Sequence, residues 1–392
     1  MIKIKNDIYW VGIKDWGVRN FHGHEFSTHR GSSYNSYLIK DEKTVLVDTA
    51  WTPYKEEYTE RLEKEVGLKN IDMIVINHIE PDHGGSLGLL MSKIPDTPIY
   101  CTKNGADIIK KYFHKDWNFN IVKTGDTIKT GKYELVFIEM QMIHWPDSMA
   151  TYVKGADLLL SNDAFGQHYS AETLFSDEAD KCELYQEALK YYANILTPFS
   201  ALIKKKLEQI MELNLPIDMI ATSHGLVWRN NIDEIIQKYT EWSNDYNEGN
   251  FIVIYDTMYN STKIMAKQIM AGIESTGVKC KLVDSAANDR SDLISEIFKA
   301  KGIVIGSCTI NNTVLRSVAS LLDDLKGLKF KGKVGAGFGS YGWSGEASKI
   351  ISNKLEEAGI KLLEEPLQLK YNPTEEELKL CFEYGKKIAE QI

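Results

Sequence analysis

From residue 251 to the end of the chain, apolar runs alternate regularly with amphipathic stretches, the pattern of a parallel sheet wrapped by helices on both faces. Runs at 251–255, 279–284, 302–307, 333–339 and 362–369 predict five strands, while 263–275 and 315–325 carry helical spacing. Upstream the grammar differs. Strand-like segments at 9–13, 33–40 and 44–48 come first, and strands and helices begin to alternate only at Lys55. A helical stretch from Leu184 to about residue 213 is interrupted by Pro198, which removes a backbone donor and predicts two helices in place of one. A helix at 232–242 and then the polar stretch 244–250, with Gly249, set the expected boundary between two domains, 1–249 and 250–392. The chain has no internal repeat and no low-complexity segment.

The length of 392 residues favours more than one core, which agrees with the two grammars. Hydrophobic residues make up 43% and charged residues 26%, as in a globular protein, and no apolar run is long enough to cross a bilayer. The opening Met1-Ile2-Lys3-Ile4-Lys5-Asn6 does not read as a secretion signal, so the expected location is the cytoplasm. Five scattered cysteines without a C-x-x-C pair exclude a disulfide framework and a cysteine zinc site, and are expected to be reduced. A net charge of −9 argues against a nucleic-acid partner, which needs a basic surface.

Candidate chemistry gathers at the ends of the predicted strands. His78-Ile79-Glu80-Pro81-Asp82-His83 follows the apolar run 71–77. In an extended segment alternate side chains point the same way, so His78, Glu80 and Asp82 can converge while His83 is offset toward a neighbouring position; one loop can serve two metals. Gly84-Gly85 then relieves crowding and lets the chain turn into a helix at 86–91. His144, Asp163 and His224 each follow a strand-like run, at 135–143, 157–160 and 217–222. A lone His or Asp at a strand end is usually a cap or a solvated residue. Seven metal-type residues, all at strand ends where α/β sites form, are not explained that way.

The H-x-E-x-D-H order resembles the H-x-H-x-D-H signature of the metallo-β-lactamase superfamily, with Glu80 in place of the middle histidine. Zinc hydrolases favour imidazole-rich sites; an added carboxylate suits a harder, redox-active metal, and iron is expected. Together with Phe21-His22-Gly23, His144-Trp145-Pro146-Asp147-Ser148, Asn162-Asp163-Ala164-Phe165-Gly166 and Ser223-His224-Gly225, the exchange resembles the flavodiiron family across the first domain. The resemblance implies an αββα sandwich holding two irons per chain, one on His78, Glu80 and His144, the other on Asp82, His83 and His224, with Asp163 bridging. In some members of that family the counterpart of His83 does not bind metal. It also implies supporting roles for His22 and Tyr192 near the open iron positions.

Three loops of the second domain have the composition to hold FMN. Thr257-Met258-Tyr259-Asn260-Ser261-Thr262 lies between strand and helix, where hydroxyls and backbone N–H groups can cradle a phosphate. Ser307-Cys308-Thr309-Ile310-Asn311-Asn312 and Ser340-Tyr341-Gly342-Trp343-Ser344-Gly345 also follow strands, and the last adds flat aromatic surface. One such loop alone would read as a serine helix cap. This half resembles flavodoxin, although Asn260 and Ser261 stand where flavodoxins commonly carry glycine and then asparagine in the phosphate loop.

A reduced flavin and two ferrous irons store four electrons, enough to take dioxygen to water; two nitric oxide molecules need two electrons to give nitrous oxide. The electron count permits both gases. The family resemblance further implies a head-to-tail homodimer or a dimer of dimers. No rubredoxin-like cysteine motif follows the flavodoxin-like unit, so the expected electron donor is separate, such as rubredoxin or reduced deazaflavin. The alternatives are a zinc hydrolase with an accessory flavodoxin domain, disfavoured by Glu80 and Asp163, and a plain electron carrier, which leaves the metal set unexplained.

Overall fold

The computed structural model describes residues 1–392, which form two compact units. The first comprises Met1–Phe21, Thr28–Tyr191 and Phe199–Thr240. It is built on two facing sheets. The seven-stranded sheet runs Ile2–Lys5, Ile8–Trp10, Tyr37–Lys40, Thr44–Val47, Met73–Val75, Ile99–Cys101, Phe119–Ile121. The six-stranded sheet runs Thr127–Lys129, Glu134–Glu139, Met149–Lys154, Leu158–Asn162, Met219–Thr222, Trp228–Arg229. Alternation decides the layers: Tyr37, Ile39, Val45, Val47, Met73 and Val75 meet Leu135, Phe137, Met149, Val153, Leu158 and Leu160 in one core. The intervening Leu38, Leu46 and Ile74 are also fully buried, so the opposite face of the first sheet is covered as well, the helical outer layer of an αββα sandwich.

The second unit comprises His22–Ser27, Tyr192–Pro198 and Glu241–Ile392. Its sheet is parallel throughout, in the order Cys280–Asp284, Phe251–Asp256, Gly302–Cys308, Val334–Tyr341, and then a fifth position. Phe251, Val253 and Tyr255 pack on Met265, Ile269 and Ile273 of the helix Ser261–Glu274 and on Cys381 and Ile388 of Glu375–Ala389. These two helices touch backbone to backbone. A Cβ at Gly272 would stand 2.0 Å from the Phe382 carbonyl oxygen, and one at Gly385 2.0 Å from that of Ile269, so only glycine permits the crossing. The segments 22–27 and 192–198 belong here through Ser27 Oγ donating to Asp289 Oδ1 (2.6 Å) and Asn194 Nδ2 donating to the Ser291 carbonyl (3.0 Å).

Several expectations change, among them the strand at 9–13, which divides into Ile8–Trp10 and Ile13–Asp15. The fifth strand divides into Lys361–Leu362, paired with the start of Val334–Tyr341, and Leu367–Lys370, paired with its end; Pro366, without an N–H, lies in the gap. The stretch 33–40 divides too, Ser32–Tyr34 joining Ile13–Asp15 in a separate ribbon while Tyr37–Lys40 enters the sheet. Asn35 makes the break, because its side-chain amide donates to the carbonyls of Thr222 (2.9 Å) and Gly225 (3.0 Å). The helix expected at 86–91 is Leu87–Lys93, and a one-turn helix, Pro81–Gly84, precedes it with proline in its first turn. The chain passes for the last time from the first unit to the second at 240/241, with the boundary expected at 249/250 in the polar stretch that follows.

Candidate metal centre and cofactor cleft

The strands Met73–Val75, Leu158–Asn162 and Met219–Thr222 end close to His78, Asp163 and His224 respectively. Their side chains converge with Glu80, Asp82, His83 and His144 into two groups. In the first, His78 Nε2 lies 3.2 Å from Glu80 Oε2 and 3.6 Å from Asp163 Oδ2, and His144 Nε2 lies 3.4 Å from each of the same oxygens. In the second, Asp82 Oδ2 lies 3.2 Å from His83 Nε2 and 3.0 Å from His224 Nε2, while Asp163 Oδ1 stands 3.1 and 3.8 Å from those nitrogens. Asp163 therefore offers one oxygen to each group. Ligands at about 2.0–2.2 Å from a metal are separated along a coordination edge by about 2.9–3.5 Å, so the spacing is that of donors around two ions.

The unsatisfied atoms point the same way. Asp82 Oδ1, Asp163 Oδ2 and both ring nitrogens of His83 are buried without a hydrogen-bond partner, a costly arrangement unless cations complete it. Burial opposes charge on the imidazoles, yet Asp82 and Asp163 hold His83 up at about 9, and Asp163 and Glu80 do the same for His144. Burial likewise opposes charge on the Asp163 carboxyl, but His83, His144 and His78 hold it well below the carboxylate range. Protons occupy positions that a metal would take.

Neighbouring groups orient the donors. Asp147 accepts from the Ile79 amide (2.8 Å) and faces His78 Nδ1 at 3.1 Å, which turns His78 Nε2 inward. His224 Nδ1 is held by the Ser33 carbonyl at 2.7 Å, and Ser223 Oγ donates to Asp163 Oδ1 at 2.7 Å. Asp48 accepts from the backbone and side-chain amides of Asn77 and so anchors the start of the His78 loop; burial pushes its carboxyl up to about 6.

All seven expected metal residues come together, but by a different local geometry. Pro81 starts a helix, so Asp82 turns away from the extended side of His78 and Glu80 and joins His83. Tyr192, expected near the irons, has its ring packed against Trp242 and Phe298. The ring beside the donors is that of Tyr191, 5.1 Å from His168 and 6.2 Å from His224; consecutive helical residues point about 100° apart, so a one-residue difference changes the face. His22 is exposed, at φ 49°, in the segment that packs with the second unit. Asp147 belongs to the 144–148 segment that carries part of the family resemblance, but its orienting role is set by the fold alone.

In the second unit the strand ends open on a cleft of about 530 Å³, within the range of cofactor sites. Thr257, Met258, Tyr259 and Ser261 of the first loop line it, with Thr309, Asn311 and Asn312 of the second and Ser340, Tyr341, Gly342, Trp343 and Ser344 of the third. The Trp343 and Tyr259 side chains are 90% and 87% exposed, leaving ring faces available to stack on a flat ligand. The helix Ser261–Glu274 starts at this cleft with no side-chain cap, so its first N–H groups are available to a phosphate.

Five expected contacts do not line the cleft. Asn260 serves as the left-handed N-cap, Thr262 is buried against Ser340 Oγ (2.9 Å), and Ser307 Oγ accepts from the Leu315 amide. Ile310 pairs with Thr313, and Gly345 sits against Tyr341 and Gln368. Cys308 of the second loop lines it too, and so, unforeseen, do Tyr371 and Asn372. The last two follow the strand Leu367–Lys370, so the strand-end rule finds them once that strand is bounded correctly.

Known proteins share both halves. A family model described as ODP family beta lactamase matches residues 33–225, and one described as Flavodoxin matches 253–385. The anaerobic nitric oxide reductase flavorubredoxin of Escherichia coli K12 is 49% identical, over all of this chain and 82% of that protein. Rubredoxin oxygen:oxidoreductase from Desulfovibrio gigas superposes with a TM-score of 0.96 at 34% identity, covering 100% of this chain and 98% of that one. The flavodiiron protein from Giardia intestinalis gives 0.94 at 34%, covering 98% and 95%. With a paired donor set in a lactamase-like sandwich, a cofactor cleft in a flavodoxin-like sheet and end-to-end similarity to these oxidoreductases, the chain belongs to the flavodiiron protein family.

Proposed function

We propose that this flavodiiron oxidoreductase reduces dioxygen to water, nitric oxide to nitrous oxide, or both. His78, Glu80 and His144 would hold one iron, Asp82, His83 and His224 the other, with Asp163 between them; FMN would lie in the cleft of the second unit. When bound, the irons supply gas-binding positions and electrons, and the flavin supplies two electrons more. The chain's own part is positional. Asp147 and the Ser33 carbonyl fix which nitrogens of His78 and His224 face inward, and Ser223 holds the bridging carboxylate. Three carboxylates among seven donors offset the charge of two cations and favour iron over zinc. The donors are nearly all buried, which keeps bulk water from the reacting gas. The observation that carries the reading is the division of Asp163, one oxygen toward each donor group.

The domains are proposed as 1–249 for the diiron part and 250–392 for the FMN part. Electrons would come from a donor such as rubredoxin or reduced deazaflavin, as the name of the Desulfovibrio gigas relative suggests for the former. A head-to-tail homodimer, or a dimer of two such dimers, would bring the flavin of one chain to the irons of its partner. No helix is long and apolar enough to cross a membrane, and the cytoplasm is the proposed location. The test is anaerobic reduction of the iron- and FMN-loaded protein, followed by turnover with each gas from one donor. Two irons and one FMN per chain with consumption of at least one gas supports the reading; a colourless protein holding only zinc ends it.

A further inference from the structure

Dioxygen needs four electrons, and the iron pair alone carries two. Whenever the flavin is oxidised, a dioxygen molecule arriving at reduced irons leaves a shortfall of two electrons at a buried site. Among the oxidisable side chains near the donors, Trp145 lies against His78 and two tyrosines lie against His224. The Tyr34 ring, fully buried, has its centroid 6.1 Å from that of His224. Its hydroxyl donates to Asp15 Oδ2 at 3.0 Å, and Asp15 is itself buried and tied down through Oδ1 by the amides of Gly17 and Val18. Beyond Tyr34 stand Trp51, at 5.4 Å between centroids, and Tyr54, at 5.7 Å, which are 6.4 Å from each other. Both are half-buried, so the series of rings runs from a metal-ligand histidine to solvent.

Packing alone would account for a buried aromatic cluster. It does not account for the carboxylate. A phenol loses its proton when it loses an electron, and a buried phenol can do so only where an acceptor waits. Tyr191 makes the contrast: it lies equally near His224, at 6.2 Å, and no carboxylate takes a hydrogen bond from its hydroxyl.

We propose that Tyr34, with Asp15 as its proton acceptor, and Trp51 and Tyr54 beyond it form an electron-supply relay that discharges the site when dioxygen arrives without reduced flavin. Tyr34 gives one electron toward the irons and its phenolic proton to Asp15 Oδ2; the phenol O–H bond breaks and the carboxylic acid O–H forms. An electron from Tyr54, passed directly or through Trp51, refills the Tyr34 radical, and Asp15 returns the proton. Tyr54 loses its own proton to solvent, and its radical is quenched at the surface by a small one-electron reductant of the thiol or ascorbate class. Two passes supply the two missing electrons. Nitric oxide reduction, which needs only two electrons, does not engage the relay. The inference rests on the diiron reading above.

The experiment mixes holoenzyme, with ferrous irons and oxidised FMN, with dioxygen and freezes samples over time for electron paramagnetic resonance. A neutral tyrosyl signal is expected in the parent protein, absent in Tyr34→Phe, and several-fold longer-lived in Trp51→Phe/Tyr54→Phe, a conservative pair of substitutions that keeps an aromatic ring at each position. Peptide mass spectrometry after repeated cycles should show more oxidised His and Met around the irons in Tyr34→Phe than in the parent. Iron-loaded protein that gives no tyrosyl signal overturns the relay and leaves the diiron reading intact. A signal whose lifetime is unchanged in the double variant overturns the exit through Trp51 and Tyr54. A protein that takes up no iron at all removes the reading underneath, and the relay with it.

Discussion

The metal centre and the cofactor cleft are built on opposite physical plans. In the first unit seven ionisable side chains are gathered, nearly all of them out of contact with water, and Asp147, the Ser33 carbonyl and Ser223 hold them at coordination distances. In the second unit the cleft is open and its lining is mainly neutral, made of hydroxyls, side-chain amides, a bare helix start and rings exposed to solvent. The difference teaches where each site stores its specificity. Buried charge must be compensated, so the metal centre tolerates almost no change in its donors; the cleft spreads a weaker attraction over many contacts and tolerates the loss of one.

The largest effect is expected where the two donor groups meet. Asp163→Ala should bring iron to one per chain or fewer and abolish gas reduction, while FMN content stays at one per chain; metal analysis and the visible spectrum of the same sample check both. Retention of two irons would show that the groups are not joined through this carboxylate.

Next comes pH. In the metal-free chain His83 and His144 keep their protons up to about 9, because neighbouring carboxylates outweigh the burial that opposes charge. Iron must displace those protons, so ferrous affinity should fall with decreasing pH below about 9, about tenfold per unit for each proton released. FMN binding, at a cleft without such groups, should be much flatter over the same range. Titration of metal-free protein in weak buffer, with proton release recorded, separates the two sites.

Asp147→Asn keeps an acceptor for the Ile79 amide but removes the charge that orients His78. Iron affinity should weaken about 10–100-fold, the usual effect of losing an orienting carboxylate, with FMN unaffected. The smallest effect belongs to the cleft. Trp343→Ala should weaken FMN binding about fivefold, equivalent to about 1 kcal/mol of aromatic contact, with iron content unchanged, as read by fluorescence titration of the released flavin.

How much of this is legible in the sequence varies with the distance over which each feature is decided. The helix at 232–242 is bounded correctly, and Pro198 does lie where the two helices meet, since both depend on nearest neighbours along the chain. The change from histidine to Glu80 can be read because it alters the chemistry of one position inside a local motif. Tyr191 and Tyr192 cannot be told apart that way. Both are aromatic, and only the phase at which the helix Lys181–Tyr191 packs decides which one faces the donors. The division of 33–40 is equally hidden, because Asn35 breaks the strand through carbonyls at 222 and 225. At the fifth strand Pro366 is a local signal that an unbroken 362–369 strand ignores, and Tyr371 and Asn372 are missed with it.

By itself the amino-acid order specified the seven donor side chains that gather in the first unit, together with the two styles of α/β folding. Those are properties of composition and short-range periodicity. Tertiary structure alone decided which ring nitrogen of His78 and of His224 faces inward, that Tyr191 and not Tyr192 stands beside the donors, and that Tyr34 reaches both Asp15 and His224. Each of those outcomes depends on a separation of a few ångströms between residues that, for the most part, lie far apart along the chain, and only the packing of two sheets on one core sets such separations.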